Sequence, residues 1–212
     1  DSMETPDNVF RFKNVPAMKL PEPSPLACFP IDGLIGSDLL AQSIVVIDGQ
    51  KKTVTITTAE KESSVSLRKM ARFMQARMPV ISLQVGSGHN IICLFDTGCP
   101  RFLSLKESDF EALPSGSAYE FLSEGRSVGS IGVGGIAAER VSRRVNFPLL
   151  SVAGTKFKNV IAETATPPYT LLGVKLLDYG KVTIDYPRAR FYFESYKPEN
   201  ELEEKPHNVG LQ

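Results

Sequence analysis

An internal repeat is the feature that most constrains how this chain can fold. Residues 33–56 (GLIGSDLLAQSIVVIDGQKKTVTI) align without a gap on residues 170–193 (TLLGVKLLDYGKVTIDYPRARFYF), at an offset of 137 positions. A shorter match precedes this block in both copies, RFKNV at 11–15 and KFKNV at 156–160. Short apolar blocks can recur by chance in β-rich proteins, but two blocks in the same order favour a duplicated unit.

The two copies differ in length. About 80 residues of the second copy precede its FKNV block, starting near Pro79, whereas only eleven residues precede FKNV in the first copy. The sequence therefore predicts one complete unit preceded by the second half of another. The expected boundaries are a first partial unit at 1–58, a linker at 59–78, a complete unit at 79–196 and a polar tail at 197–212.

Composition indicates a globular chain and argues against nucleic-acid binding and against a transmembrane helix. Hydrophobic residues make up 42% of the 212 residues and charged residues 23%, which is enough to build a sizeable core. Lys+Arg and Asp+Glu are both 24, so the chain lacks the basic excess that a nucleic-acid binder normally shows. No apolar run approaches the ~18 residues of a transmembrane helix.

Cysteines and histidines do not indicate a cofactor site. Three cysteines are too few for a disulfide scaffold, and an odd number leaves at least one of them free. His89 and His207 lie far apart, without the spacing of metal ligands, so a zinc site is not expected. Cys93 and Cys99 are close enough along the chain to form a disulfide, but a buried, free Cys93 is the favoured interpretation.

The pattern of apolar residues predicts an all-β fold with short helices. Apolar runs, alternating or continuous, indicate strands, and Gly, Asn and Pro mark the turns between them. Strands are predicted at 79–85, 91–96 and 102–105, on both sides of Ala153-Gly154, and in a hairpin over 181–193 that turns at Tyr186-Pro187. Short helices are predicted at 105–113 and 173–180, and a hairpin around the glycines at 129, 132, 134 and 135.

The candidate catalytic group is Asp96, in the sequence Asp96-Thr97-Gly98 that follows the predicted strand 91–96. Gly98 allows a sharp turn, and Thr97 places a hydroxyl beside the carboxylate. A carboxylate at the end of a strand, cradled by backbone N–H groups, can be held at a defined position and ionisation state. The three residues alone are a weak signal, because an Asp at a strand exit is also an ordinary turn residue.

The order of the motifs resembles the aspartic peptidases of the pepsin and retropepsin superfamily, especially bacterial retropepsin-like proteins. Asp-Thr-Gly is followed by the glycine-rich hairpin and then by Leu171-Leu172-Gly173, which opens a short helix. The resemblance implies an acid-peptidase fold, in which the Leu-Leu-Gly strand crosses behind the Asp-Thr-Gly loop. It covers residues 79–195 well. Residues 10–57 match only the second half of a pepsin-like lobe, with Leu34-Ile35-Gly36 as the crossing element.

The resemblance also implies roles for individual residues. Asp96 matches the catalytic aspartate, Thr97 the threonine that interlocks with its twin across a pseudo-dyad, and Gly98 the glycine beneath them. The implied substrate is a peptide or protein, bound in extended form and cleaved without a metal or organic cofactor. The implied flap over the cleft consists of Gly129, Ser130, Ile131, Gly132, Val133, Gly134 and Gly135.

The mechanism of this family needs two carboxylates that share one proton. The ionised carboxyl activates a water molecule, and the protonated one polarises the scissile carbonyl. The chain supplies one such motif, 61 residues before Phe157; the same spacing from Phe12 places its twin about 49–50 residues upstream of residue 1. The second aspartate is therefore expected from a missing N-terminal lobe segment or from a homodimer partner.

Two departures from the family pattern leave a second function open. Cys99 occupies a position that is usually Ser, Thr or Ala, and a thiol is a poor hydrogen-bond donor. The flap region 125–140 contains no Tyr. The expected function is an aspartic endopeptidase, and the alternative is a catalytically inactive pepsin-like protein with a peptide-binding or structural role. A secreted or periplasmic location is implied by the resemblance alone.

Other charged residues have both structural and functional interpretations. Asp48 and Asp185 occupy equivalent repeat positions after apolar strands, where they could form a second carboxylate pair, but a role in hairpin turns is favoured. Arg140, Arg143 and Arg144 follow the glycine-rich hairpin. Such clusters are commonly solvated, but this one could also steer acidic substrates.

Overall fold

The computed structural model describes residues 2–4, 11–13, 19, 34–58, 69–114, 116–127, 131–132, 135–136 and 138–202. This part of the chain is mostly β-strand with a few short helices, which confirms the predicted all-β class. No helix within these ranges is long and apolar enough to cross a membrane.

The strands form one sheet of eight strands, one sheet of five strands and two separate two-stranded sheets. The strands are β1 (Ser2–Glu4), β2 (Arg11–Lys13), β3 (Ser43–Asp48), β4 (Thr53–Thr58), β5 (Met70–Arg72), β6 (Val80–Val85), β7 (His89–Asp96), β8 (Leu103–Lys106), β9 (Glu120–Ser127), β10 (Ile131–Gly132), β11 (Gly135–Ile136), β12 (Arg140–Val152), β13 (Thr155–Ala165), β14 (Thr170–Gly173), β15 (Gly180–Asp185), β16 (Arg190–Ser195) and β17 (Asn200–Glu201). The helices are α1 (Ser37–Leu40), α2 (Glu107–Ala112) and a 3₁₀ helix (Val174–Asp178).

Several elements predicted between residues 79 and 195 are present in the structure. Strands expected from the apolar runs are present as β6, β7 and β8, and the helix expected at 105–113 is α2. The turns at Ala153-Gly154 and Tyr186-Pro187 join β12 to β13 and β15 to β16. The helix expected at 173–180 is a 3₁₀ helix, which suits so short a segment between two strands.

The larger sheet contains eight strands in the order β17-β13-β8-β14-β7-β6-β12-β9. Burial alternates along β6 because successive side chains of a strand point to opposite faces: Ile81 and Leu83 are fully buried, and Gln84 is exposed. The buried faces of both sheets contribute to one apolar cluster. Within it, the rings of Phe157 in β13 and Phe193 in β16 have centroids 5.6 Å apart.

The second sheet joins the two copies of the repeat. Its order is β4-β3-β15-β16-β5, and the repeat makes β3 equivalent to β15 and β4 equivalent to β16. The first four strands therefore form a symmetric arrangement, with the two equivalent inner strands antiparallel to each other. The segment predicted as a linker contributes β5, and the segment predicted as a polar tail contributes β17, which pairs with β13.

The two hairpins of this sheet have the same turn geometry. Asp48 and Asp185 each accept a hydrogen bond from the backbone N–H three residues further on, at 3.0 and 3.1 Å. The following residue has a positive φ in both turns, 53° at Lys52 and 52° at Ala189. Each of these aspartates thus orders a hairpin turn, as the turn interpretation predicts, and the repeat extends to backbone conformation.

Candidate active site

The candidate active site lies where β14 is inserted between two strands that are consecutive in the chain. β14 runs parallel to β7 and antiparallel to β8. The segment 97–102, which connects β7 to β8, therefore passes around the end of β14. In the parallel pair, Gly173 lies opposite Asp96, Leu172 opposite Phe95 and Leu171 opposite Leu94. The structure thus brings the Leu-Leu-Gly segment next to the end of the strand that carries Asp96.

Gly173 has no room for a side chain. A Cβ atom there would overlap the carbonyl oxygen of Arg101 and lie 2.6 Å from that of Cys99. The backbone is bonded to the same loop, because Gly173 N donates to Phe102 O at 2.8 Å and Val174 N donates to Cys99 O at 2.9 Å. The loop after Asp96 is therefore held directly against the end of β14, and its shape depends on glycine at position 173.

The carboxylate of Asp96 is half-buried and held by its own loop. Gly98 N donates to its Oδ1 at 2.8 Å, and Cys99 N donates to the carbonyl oxygen of Asp96 at 3.1 Å. Its other carboxylate oxygen accepts no hydrogen bond from any described residue. The arrangement fixes one oxygen of the carboxylate and leaves the second one available to a water molecule or a substrate.

The residues that flank Asp96 differ in exposure. Thr97 and Gly98 are exposed, and the Thr97 hydroxyl makes no hydrogen bond within the described part of the chain. Cys99 and Cys93 are buried and free, so the two cysteines form no disulfide here. Burial raises the pKa of both thiols, and the neighbouring Asp96 carboxylate further raises that of Cys99. Both side chains are therefore neutral thiols near pH 7.

Two residues make long-range contacts that stabilise the site and could not be recognised from the sequence. Arg101, in the loop after Asp96, forms an ion pair with Glu163 of β13 at 2.6 Å. Thr170, the first residue of β14, is fully buried; its hydroxyl donates to Asp109 Oδ2 at 2.7 Å and accepts from Lys106 N at 2.9 Å. Both contacts join segments about 60 residues apart, which local patterns do not reveal.

The expected flap is described only in part. Ile131 and Gly132 pair with Ile136 and Gly135 in a two-stranded hairpin, as the glycine pattern predicts. The other proposed flap residues, Gly129, Ser130, Val133 and Gly134, lie outside the described residues.

The arginines near this hairpin are engaged with other residues. Arg143 forms ion pairs with Glu107 and Glu124, and its guanidinium lies 5.5 Å from the centre of the Phe110 ring. Arg140 donates to the carbonyl oxygen of Thr164. These contacts tie β12 to its neighbours, so Arg140 and Arg143 serve packing and do not form a free basic patch.

The equivalent segment of the first copy is exposed. Leu34 and Ile35 correspond to Leu171 and Leu172, but their exposed fractions are 60% and 66%, whereas Leu172 is fully buried. Within the described residues, no strand pairs with 34–36 as β7 and β8 pair with β14.

Comparisons with known proteins add no family to this picture. No protein-family model matches the chain, and a search of curated proteins finds no match either.

Proposed function

We propose that the chain forms part of a pepsin-like aspartic endopeptidase and that Asp96 is one half of its catalytic dyad. The observation that carries the proposal is the position of Asp96 opposite Gly173, with one carboxylate oxygen of Asp96 accepting a hydrogen bond from Gly98 N. A carboxylate at the end of a strand, next to an inserted Leu-Leu-Gly strand, is the arrangement that the resemblance to acid peptidases predicts.

The free oxygen of Asp96 suits the proposed chemistry. In a dyad, two carboxyl groups at close range hold one proton between them, because two adjacent negative charges repel each other. The ionised carboxyl takes a proton from a water molecule, whose oxygen then attacks the peptide carbonyl carbon. The second carboxyl donates its proton toward the carbonyl oxygen. Asp96 could take either role, so the dyad is treated as one unit.

The second carboxylate has to come from outside the described residues. No other acidic side chain among them is bonded to Asp96. The exposed Leu34 and Ile35 support a source: an additional segment that packs on them as β7 and β8 pack on β14 would bring a second strand-end aspartate to the equivalent position. That segment would belong to an N-terminal part of the same protein or to a partner chain.

A non-catalytic, peptide-binding role is the second candidate. It is favoured by the buried, un-ionised thiol of Cys99 beside Asp96, in place of a hydroxyl that could support the carboxylate. In that case the same strands would bind a peptide without cleaving it.

A cleavage assay on the intact native protein separates the two candidates. An unfolded protein substrate is incubated with wild type and with Asp96→Asn from about pH 3 to pH 7, and new termini are identified by mass spectrometry. The peptidase predicts cleavage by wild type and loss of at least about 10³-fold in Asp96→Asn, since the dyad can no longer activate water. Asp38→Asn, an exposed acid of α1, is the matched control and should retain activity.

Binding without cleavage would support the second candidate. If the wild-type protein retains the unfolded substrate on a column but generates no new termini at any pH, the endopeptidase proposal is wrong. Cleavage that persists at the wild-type rate in Asp96→Asn would also overturn it.

A further inference from the structure

Residues 97–102, the Asp96 loop, hold the carboxylate that ends β7. Gly98 N donates to Asp96 Oδ1 at 2.8 Å, and Cys99 N donates to the carbonyl oxygen of Asp96 at 3.1 Å. Both donors belong to the loop, so the position of the carboxylate depends on the conformation of the loop. A contact that fixes the Asp96 loop therefore also fixes Asp96.

The backbone of the Asp96 loop is bonded to the end of β14 at two points. The carbonyl oxygen of Cys99 accepts from Val174 N at 2.9 Å, and that of Phe102 accepts from Gly173 N at 2.8 Å. The bend between these two points contains Arg101 and is exposed. Backbone hydrogen bonds thus hold both ends of the bend, and its exposed part needs a further contact to be held.

The side chain of Arg101 supplies this contact. Its guanidinium forms an ion pair with Glu163 of β13 at 2.6 Å, and the exposed fractions of the two side chains are 47% and 29%. Glu163 is fixed within the larger sheet, opposite Ser104 of β8 on one side and Arg144 of β12 on the other. The ion pair therefore ties the exposed bend of the Asp96 loop to a strand that two neighbouring strands hold in place.

The effect of this ion pair should be local. A partly exposed pair contributes little to the free energy of global unfolding, because water and salt screen its charges. The two backbone hydrogen bonds to β14 do not depend on it. Loss of the pair should therefore leave the fold intact and increase the local opening of the Asp96 loop.

We propose that Arg101 is a positioning residue for the reaction at Asp96: its ion pair with Glu163 holds the Asp96 loop in the conformation in which Gly98 N bonds the carboxylate. Arg101 forms no ion pair with Asp96 itself, so it acts through the loop. The catalytic part of this inference rests on the proposed function. Its structural part, the ordering of the loop, does not.

Hydrogen exchange of the Gly98 and Cys99 amides, measured by NMR on the isotope-labelled intact protein, tests the structural part. In Arg101→Gln both amides should exchange about three to five times faster than in wild type, while the amides of β3 in the other sheet keep their rates. Arg101→Lys retains the charge and should show a smaller increase. Lys181→Gln removes a similarly exposed ion pair, with Glu194 at 2.8 Å, and is the matched control that should leave both amides unchanged.

A double-mutant cycle tests whether Glu163 is the partner through which Arg101 acts. Glu163→Gln should accelerate exchange of the two amides to about the same extent as Arg101→Gln. The double variant should exchange no faster than either single variant, because both substitutions remove the same contact.

Steady-state kinetics on a peptide that the wild-type protein cleaves tests the catalytic part. Arg101→Gln should lower kcat about tenfold and leave KM within about twofold of wild type, because a displaced carboxylate impairs the reacting geometry and not substrate binding. Arg101→Lys should recover part of the loss, and Lys181→Gln should match wild type.

Four results would overturn the inference. Exchange of the Gly98 amide could be unchanged in Arg101→Gln, or the acceleration could extend equally to the amides of β3. The effects of Arg101→Gln and Glu163→Gln could multiply in the double variant, or Arg101→Gln could raise KM at an unchanged kcat. If the wild-type protein cleaves nothing at any pH, the proposed function and the catalytic part of this inference are both wrong, and the exchange rates still decide whether the ion pair holds the loop.

Discussion

Val46 and Thr183 lie directly opposite each other in the antiparallel pairing of β3 with β15. The repeat offset of 137 residues also makes them equivalent positions. Two equivalent residues that face each other across an antiparallel pair mark a local two-fold axis between them. The two copies are therefore related by a pseudo-dyad through this sheet. This relationship supports a symmetric partner for Asp96, supplied by the segment that would complete the first copy.

Because Gly173 lies against the loop after Asp96, adding a single methyl group at position 173 should strongly lower the stability of the protein. Gly173→Ala should destabilise the protein by about 3 kcal/mol, because its Cβ would overlap the backbone of the loop. Urea denaturation followed by circular dichroism measures the change. Gly125→Ala is the control: its Cβ meets no atom within 4 Å, and its stability should stay within about 0.5 kcal/mol of wild type. Equal stability of the two variants would contradict the described packing.

The Thr170 hydroxyl is expected to hold the start of β14. Thr170→Val keeps the shape of the side chain but removes both hydrogen bonds, leaving the backbone N–H of Lys106 without that acceptor. The expected loss of unfolding free energy is about 1–3 kcal/mol. Thr170→Ser retains the hydroxyl and should lose less. A valine variant as stable as the serine variant would show that these hydrogen bonds contribute nothing.

Asp48 gives the stability a dependence on acid pH. Hydrogen bonds from the backbone of Lys51 and the hydroxyl of Tyr196 lower the pKa of Asp48 from its ordinary value of 3.8. A carboxylate whose pKa is lower in the folded state contributes stability above the unfolded-state pKa, and this contribution is lost as the pH falls through the folded-state pKa.

The advantage of wild type over Asp48→Asn in urea denaturation should therefore be larger at pH 7 than at pH 3. Tyr196→Phe, which removes one of the two donors, should reduce the pH dependence without abolishing it. An advantage that grows toward pH 3 would contradict the direction of the pKa change.

The thiols of Cys93 and Cys99 should react slowly in the folded protein. Burial raises the pKa of both, and the thiolate is the form that alkylating reagents attack. Iodoacetamide at pH 8, followed by peptide mass spectrometry, should modify both at least about tenfold more slowly than in urea. Rapid labelling of Cys99 in the native protein, or a Cys93–Cys99 disulfide, would contradict the structure.

Local patterns in the sequence predict most elements of the second copy. Alternating burial in β6 follows directly from the sequence. The continuous apolar run of β7 predicts a strand but not its burial, because Ile91, Cys93 and Phe95 are buried whereas Ile92 between them is exposed. Gly173 could be identified from the motif order, and the repeat predicted that the two aspartates at 48 and 185 would order equivalent turns. These features depend on residues close together in the chain or on the comparison of two copies.

Contacts between distant segments could not be predicted in the same way. The Arg101–Glu163 ion pair and the Thr170–Asp109 hydrogen bond depend on how β8, β13 and β14 are arranged side by side. Among the described strands, the uncovered outer edge of β4 is also a property of the assembled sheet, since the sequence of β4 differs little from that of a paired strand. Only the strand order distinguishes a covered edge from an uncovered one.

Labelling of Asp96 by an epoxide tests the proton-sharing dyad most directly. The reagent is 1,2-epoxy-3-(4-nitrophenoxy)propane. The ionised carboxylate of the protein attacks a carbon of the reagent's epoxide ring and the C–O bond opens, while the neighbouring protonated carboxyl of the protein donates a proton to the departing oxygen. The reaction therefore needs both protonation states of the pair at one site. Peptide mass spectrometry of the intact native protein measures the adduct as a function of pH.

A dyad containing Asp96 predicts a single rapidly formed ester with a bell-shaped pH profile, which disappears in Asp96→Asn. The exposed acids Asp38 and Asp178 provide the background rate within the same sample. Two results together would contradict the place of Asp96 in a catalytic pair. Asp96 would be labelled no faster than this background, and no other rapidly labelled carboxyl would lose its label in Asp96→Asn.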